Sequence, residues 1–175
     1  MKLLVANRGE IAIRIIRGAA ELGMGTVAVA PADDAGSLHA VKANEFVQLD
    51  GAGTAAYLDI DQIITAATDT GCDAIHPGYG FLAENAELAR HCADAGLTFV
   101  GPSPEMLELF GDKARARQAA IEAKVPVIRG IDHAVSVEEA TAFFNDLGDG
   151  RGMMIKAAHG GGGRGSRMVE TADEV

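Results

Sequence analysis

Short apolar runs alternate with stretches of helical period over the first hundred residues. Leu3–Ala6 is an apolar run of strand length. Glu10–Leu22 then spaces Ile11, Ile15, Ala19 and Leu22 along one side, which predicts a helix with that stripe facing inward. Gly23 and Gly25 close it, and Thr26–Ala30 predicts a second buried strand. Asp33-Asp34-Ala35-Gly36-Ser37 has the composition of a turn, and Glu45–Leu49 reads as a third strand. Asp59 opens a helix running to Thr68 and closed at Gly71, and Cys72–Ile75 is a strand leading into His76-Pro77-Gly78-Tyr79-Gly80. Glu84–Ala95 is a helix with capping chemistry at Glu84-Asn85, ended by Gly96, before a last strand at Leu97–Val100. Strands spaced by helices of this length predict parallel βαβ units in a doubly wound α/β sheet. Ligands of such sheets bind beyond the carboxyl ends of the strands. That rule selects Asn7-Arg8-Gly9-Glu10, His76 to Phe81, and Gly101-Pro102-Ser103.

The pattern changes after residue 110. Pro104–Leu107 and Lys113–Ala123 read as helices, and Val125-Pro126-Val127 breaks them. A helix at Val137–Leu147 and a strand Met153–Lys156 then lead into His159-Gly160-Gly161-Gly162-Gly163-Arg164-Gly165, followed by a short strand from Ser166. The expected division is a Rossmann-like unit over 1–110, a connecting helical segment over 111–127, and an α+β unit over 128–175. That last unit holds two strands, and a two-stranded sheet is marginal on its own, so the chain is expected to stop inside its second domain.

Composition narrows the function. Apolar residues make up 48% and charged residues 23% of the 175, as in an ordinary globular chain. A net charge of −10 argues against nucleic acid as a general partner. The acidity is uneven: residues 1–110 carry 6 basic and 15 acidic side chains, residues 111–175 carry 9 and 10. Residues 151–167 hold Arg151, Lys156, Arg164 and Arg167 with no acid, a local charge suited to a small polyanion. Cys72 and Cys92 have neither CxxC spacing nor a histidine pair beside them, and are read as reduced and buried. No metal site is expected within the chain, nor a signal peptide or membrane span, and the default location is the cytoplasm.

The glycine run carries the sharpest chemistry. Consecutive glycines remove the side chains that would hold the backbone off a ligand and expose amide N–H groups to an anion. Gly160 to Gly165 formally satisfies G-x-G-x-x-G, but here a strand feeds a second strand rather than a helix, and no Walker lysine follows. A glycine hairpin with Lys156 on its entering strand reads as a cover for a nucleoside triphosphate, against a plain flexible linker as the alternative.

Five motifs, in order, resemble the amino-terminal part of biotin carboxylases, the ATP-grasp component of acyl-CoA, pyruvate and urea carboxylases. They are Ala6-Asn7-Arg8-Gly9-Glu10-Ile11-Ala12, His76-Pro77-Gly78-Tyr79-Gly80-Phe81-Leu82-Ala83-Glu84-Asn85, Phe99-Val100-Gly101-Pro102, Gly111-Asp112-Lys113, and Lys156 through Gly165. The resemblance implies a Rossmann-like domain followed by an incomplete ATP-grasp lid. It also implies that MgATP and bicarbonate form carboxyphosphate, whose carboxyl group passes to biotin on a carrier protein. Lys113, Lys156, Gly161, Gly162, Gly163, Arg164, Gly165 and Ser166 fall on the family's ATP-binding positions. His76 and Tyr79 fall on its carboxylation-site loop, and Arg17 and Glu21 on the helix of its dimer contact. A homodimer, a biotin carboxyl carrier and a carboxyltransferase are the implied partners. Metal, bicarbonate and biotin ligands would lie in the missing part, so the chain alone is expected to be inactive. Ser166 departs from the methionine common there, which bears on adenine.

Other readings stand beside these. His76 could act as a general base, but a loop-shaping hydrogen bond is preferred. Arg8 is expected to pair with an acid that holds the first loop. Asp33-Asp34 occupies the place of a ribose-binding acid, yet the glycine fingerprint of a nicotinamide site is absent after the first strand. Lys113 opposes the dipole of the helix that it starts, which suggests a ligand. Another ATP-grasp ligase such as carbamoyl-phosphate synthetase, and a non-catalytic assembly module, are the remaining functional alternatives.

Overall fold

The computed structural model describes residues 1–131, 133–148, 150–157 and 165–175. These divide into two compact units, Met1–Gly111 and Asp112–Val175.

The first unit is built on five strands: β1 (Lys2–Val5), β2 (Gly25–Pro31), β3 (Glu45–Leu49), β4 (Ala74–His76) and β5 (Thr98–Phe99). They pair in parallel in the order β3-β2-β1-β4-β5. The helices are α1 (Gly9–Glu21), α2 (Leu38–Lys42), α3 (Gly53–Ala56), α4 (Ile60–Asp69), α5 (Ala86–Asp94) and α6 (Pro104–Gly111). Successive strand side chains point to opposite faces. Leu3 and Val5 accordingly pack with Ala12, Ile16 and Ala19 of α1, while Leu4 and Ala6 join Ile63, Leu88 and Cys92 in the larger cluster on the other face. Both cysteines are free and buried, and burial pushes the Cys92 thiol up to about 11.

Several expectations needed correction. Of the expected stripe Ile11, Ile15, Ala19 and Leu22, Ala19 is buried and Ile15 packs partly against the same cluster, but the buried positions of α1 are Ala12, Ile16 and Ala19. Leu22 is 78% exposed, and Ile11, Ile15 and Leu22 instead edge an open apolar groove with Met24 and Val100. The helix is turned so that Ile16 is the large side chain in the contact, flanked by the small Ala12 and Ala19, which allow close approach to the sheet. α2 and α3 lie where no element was expected, and β5 is shorter than the apolar run Leu97–Val100. Asp59 and Asn85 do cap α4 and α5, accepting from the amides of Gln62 at 3.1 Å and Leu88 at 3.1 Å.

The second unit contains α7 (Lys113–Glu122), α8 (Val137–Leu147) and an antiparallel pair of β6 (Met153–Lys156) and β7 (Ser166–Val169). Strand does feed strand across the glycine run. Ser136 and Glu139 form a reciprocal cap at the start of α8. Among the described residues only Ala140 and Val169 of this unit are buried apolar side chains. No helix among the described residues is long and apolar enough to cross a membrane.

Candidate functional site

The strand order reverses direction between β1 and β4, and loops leaving β1, β2 and β4 meet beyond their carboxyl ends. This is where a doubly wound sheet opens a crevice. Asn7, only 3% exposed, ties the first loop to the third. Its Nδ2 donates to the carbonyls of Pro77 at 2.6 Å and Tyr79 at 2.8 Å, while its Oδ1 accepts from the Arg8 amide at 2.8 Å. A side chain added at Gly78, whose φ is +68°, would stand 2.8 Å from Asn7 Nδ2. Glycine is therefore required there on two counts, backbone conformation and space. The sequence placed Asn7 in the first candidate loop without giving it a role of its own, although an amide beside the charged start of a helix was a usable signal.

His76 shapes this loop. Its Nδ1 accepts from the Gly78 amide at 3.0 Å, and burial lowers its pKa, which keeps the ring neutral. With that lone pair engaged, the preferred loop-forming role stands over a general base. The loop continues to Phe81, held at φ +38° and stacked on Tyr57 with centroids 5.3 Å apart. A phenylalanine in the left-handed region stores strain that surrounding contacts must hold.

Tyr57 links the loop to a polar cluster after β2. Its hydroxyl donates to Asp34 Oδ2 at 2.6 Å, and Arg8 Nε donates to the same oxygen at 2.6 Å. Ser37 donates to the other oxygen of Asp34. The Arg8 bond, foremost, holds the Asp34 carboxyl well below the usual carboxylate range, and Asp34 in turn raises Arg8. Asp34 thus anchors Arg8 and is not set aside for a ribose. The nearby Asp33 carboxylate accepts from the Gly53 amide at 3.0 Å. His39, 1% exposed, lies 3.3 Å from the Val29 carbonyl through Nε2, and burial lowers its pKa.

Tyr79 stands out from the clamped loop, 62% exposed, and its hydroxyl donates to Glu10 in the first turn of α1. The Glu10 carboxylate raises the pKa of the phenol, since it favours the protonated form. Asn7, Arg8, Glu10, Ile11, Tyr79, Gly80 and Phe81 line a pocket of about 350 Å³. Arg17 and Glu21 lie exposed on α1.

In the second unit, Lys113 is the first residue of α7, and the Asp112 side chain accepts from the amides of Ala114 at 2.9 Å and Arg115 at 3.1 Å. That carboxylate offsets the unfavourable placement of a cation at a helix start. Lys156 ends β6 opposite Ser166, and both are exposed. The Ala157 amide donates to the Gly165 carbonyl at 2.9 Å, and Gly165 has φ +77°. A side chain at Gly165 would press on Ala157 Cβ at 3.0 Å. His159, Gly161, Gly162, Gly163 and Arg164 lie outside the described residues. Among the described residues no group of three or more His, Cys, Asp or Glu side chains could hold a metal ion.

Comparison with known proteins connects the two units. Residues 112–175 match the carbamoyl-phosphate synthase L chain, ATP binding domain family. Mitochondrial pyruvate carboxylase of Mus musculus is 51% identical across 99% of the chain, and the biotin carboxylase of Nostoc sp. is 46% identical across 99%. The chain spans 15% of the length of the former and 39% of the latter. The biotin carboxylase domain of Hydrogenobacter thermophilus 2-oxoglutarate carboxylase, solved as a dimer with MgADP, ADP and bicarbonate, superposes with a TM-score of 0.90 at 42% identity. That superposition covers 99% of this chain and 38% of the other. Residues 1–107, with the whole parallel sheet and the clamped loop, match the biotin carboxylase N-terminal domain family, and the chain belongs to that family.

Proposed function

We propose that the chain is the amino-terminal part of an ATP-dependent biotin carboxylase, with the Asp112–Val175 unit forming the beginning of an ATP-grasp lid. The observation that carries this reading is relatedness at 51% and 46% identity to a pyruvate carboxylase and a biotin carboxylase that covers 99% of the chain and so includes both units. Carbamoyl-phosphate synthase is a weaker reading, favoured only by the match over residues 112–175.

In the proposed reaction bicarbonate attacks the terminal phosphorus of ATP, giving carboxyphosphate and ADP. The carboxyl group then passes to the biotin ureido nitrogen, with phosphate leaving and the nitrogen losing its proton. Lys113 and Lys156 would neutralise charge on the phosphoryl oxygens, as compact cations can follow a shifting charge. Gly161, Gly162, Gly163, Arg164 and Gly165 would supply the amides and the guanidinium that cover the phosphates, and Ser166 would border the adenine. The antiparallel pairing supports this by placing Lys156 and Ser166 opposite each other at the ends of the two strands that flank the glycine run. His76 and Tyr79 would serve the carboxylation side, His76 through the loop's shape. Arg17 and Glu21, exposed on α1, would meet a second copy. The biotin carrier and carboxyltransferase would complete the assembly.

The test is ADP release from MgATP and bicarbonate by the full-length carboxylase, with and without free biotin, beside the 175-residue chain. Biotin-stimulated turnover by the former and none by the latter is expected. Turnover that ignores biotin would move the protein to another ATP-grasp ligase.

A further inference from the structure

Phe81 is held at φ +38°, in the left-handed region that a glycine would adopt without strain. What the phenylalanine adds there is a ring, and that ring stacks on Tyr57, inclined by 3° with centroids 5.3 Å apart. Tyr57 directly follows α3, is 1% exposed, and does not line the pocket that Phe81 borders. A buried phenol needs a partner for its hydroxyl, and Asp34 Oδ2 accepts it at 2.6 Å. The same oxygen accepts from Arg8 Nε, and Arg8 follows Asn7, whose amide holds the Pro77 and Tyr79 carbonyls. The loop after β4 is therefore gripped twice, near its start by Asn7 and at Phe81 by the Tyr57 ring, and Asp34 ties the two grips together. Tyr57 lies outside every motif read from the sequence.

We propose that Tyr57 is a positioning residue for the carboxylation step: its ring, anchored by Asp34, holds Phe81 and so fixes the shape of the loop before any ligand arrives. The proposal rests on the biotin carboxylase reading and concerns what supports the loop, not what the loop touches. A loop that loses this support must be ordered by its ligand, and the ordering cost appears as weaker binding. A residue that served only the general stability of the unit would not separate one substrate from another.

In the full-length carboxylase, Tyr57→Leu should raise the KM for free biotin about fivefold, the scale of losing one aromatic pair, and the KM for MgATP less than about twofold. Tyr57→Phe keeps the ring and should bring the biotin factor back to about twofold or less. Phe81→Leu removes the same pair from a half-buried position, so its effect can be read even where Tyr57→Leu does not fold. It too should raise the biotin KM about fivefold. Because the two rings form one contact, the double variant should be no worse than either single change. A wild-type biotin KM in Phe81→Leu, equal rises for both substrates, or factors that multiply in the double variant would each overturn the proposal. Urea unfolding of the 175-residue chain gives a reading independent of turnover. The midpoint losses of Tyr57→Leu and Phe81→Leu should be less than additive, and additive losses would overturn the proposal by showing that the rings do not hold each other. ADP release by the wild type that ignores biotin overturns the functional reading itself and leaves the unfolding result standing, so the two failures are distinguishable.

Discussion

The two units reach order by different means. Met1–Gly111 buries both faces of a parallel sheet, and its functional loop is fixed by buried groups: Asn7 beneath the turn, Tyr57 against Phe81, Asp34 behind Arg8. In Asp112–Val175, α7 has no buried residue, and the candidate phosphate lysines lie on exposed surface at the start of a helix and the end of a hairpin strand. A unit with so few buried contacts opposes local opening weakly, whereas the first unit opens only with its core.

The contrast can be broken hardest through the lysines. Lys156→Ala in the full-length carboxylase should lower ADP release by about 100-fold or more, the scale of losing one preorganised charge partner, while the urea midpoint of the first unit stays unchanged. Near-normal turnover would remove Lys156 from the phosphate site. On the other side of the comparison, Gly78→Ala should destabilise the first unit by about 3 kcal/mol, since it combines a forbidden backbone conformation with a clash on Asn7. Equilibrium denaturation of the chain measures this, and a loss below about 1 kcal/mol would mean that the loop relaxes freely. Asn7→Ala should cost somewhat less, about 2 kcal/mol, by leaving buried carbonyls unpaired. It should also raise the biotin KM, unlike a cavity in the core away from the loop.

A gentler probe is pH. Burial lowers the pKa values of His39 and His76, so between those values and the ordinary one of about 6.5 the unfolded chain binds more protons than the folded one. Stability of the first unit should therefore fall as pH drops from about 7 to 5. His39→Gln and His76→Gln should each flatten that slope, and a slope unaltered by both would assign it elsewhere. The smallest effect is expected at Ser166→Met, which should tighten nucleotide binding by the full-length carboxylase about threefold through added apolar contact. Weaker binding there would argue against adenine lying beside this residue.

Local patterns carried much of this molecule. The strand positions, the caps Asp59 and Asn85, the buried cysteines, the two strands flanking the glycine run and the pairing of Arg8 with an acid are all decided within a few residues or by a residue type with one common use. The orientation of α1 was not legible in the same way. Periodicity found Ala19 but gave a stripe rotated toward Ile11 and Leu22, whereas packing on the sheet buries Ala12 and Ile16 beside it. Asn7 was equally hidden, because its partners at Pro77 and Tyr79 are some seventy residues away, and only the β1–β4 pairing brings them together.

Sequence alone therefore determined the class of sheet, the family motifs and the residue types available at the candidate site. Tertiary structure decided which atom accepts which proton. Asp34 is committed to Arg8 and Tyr57, His76 to Gly78, and the Tyr79 hydroxyl to Glu10. Hydrogen-bond commitments depend on distances of a few ångströms between groups far apart in the chain, and no spacing within the sequence encodes those directly.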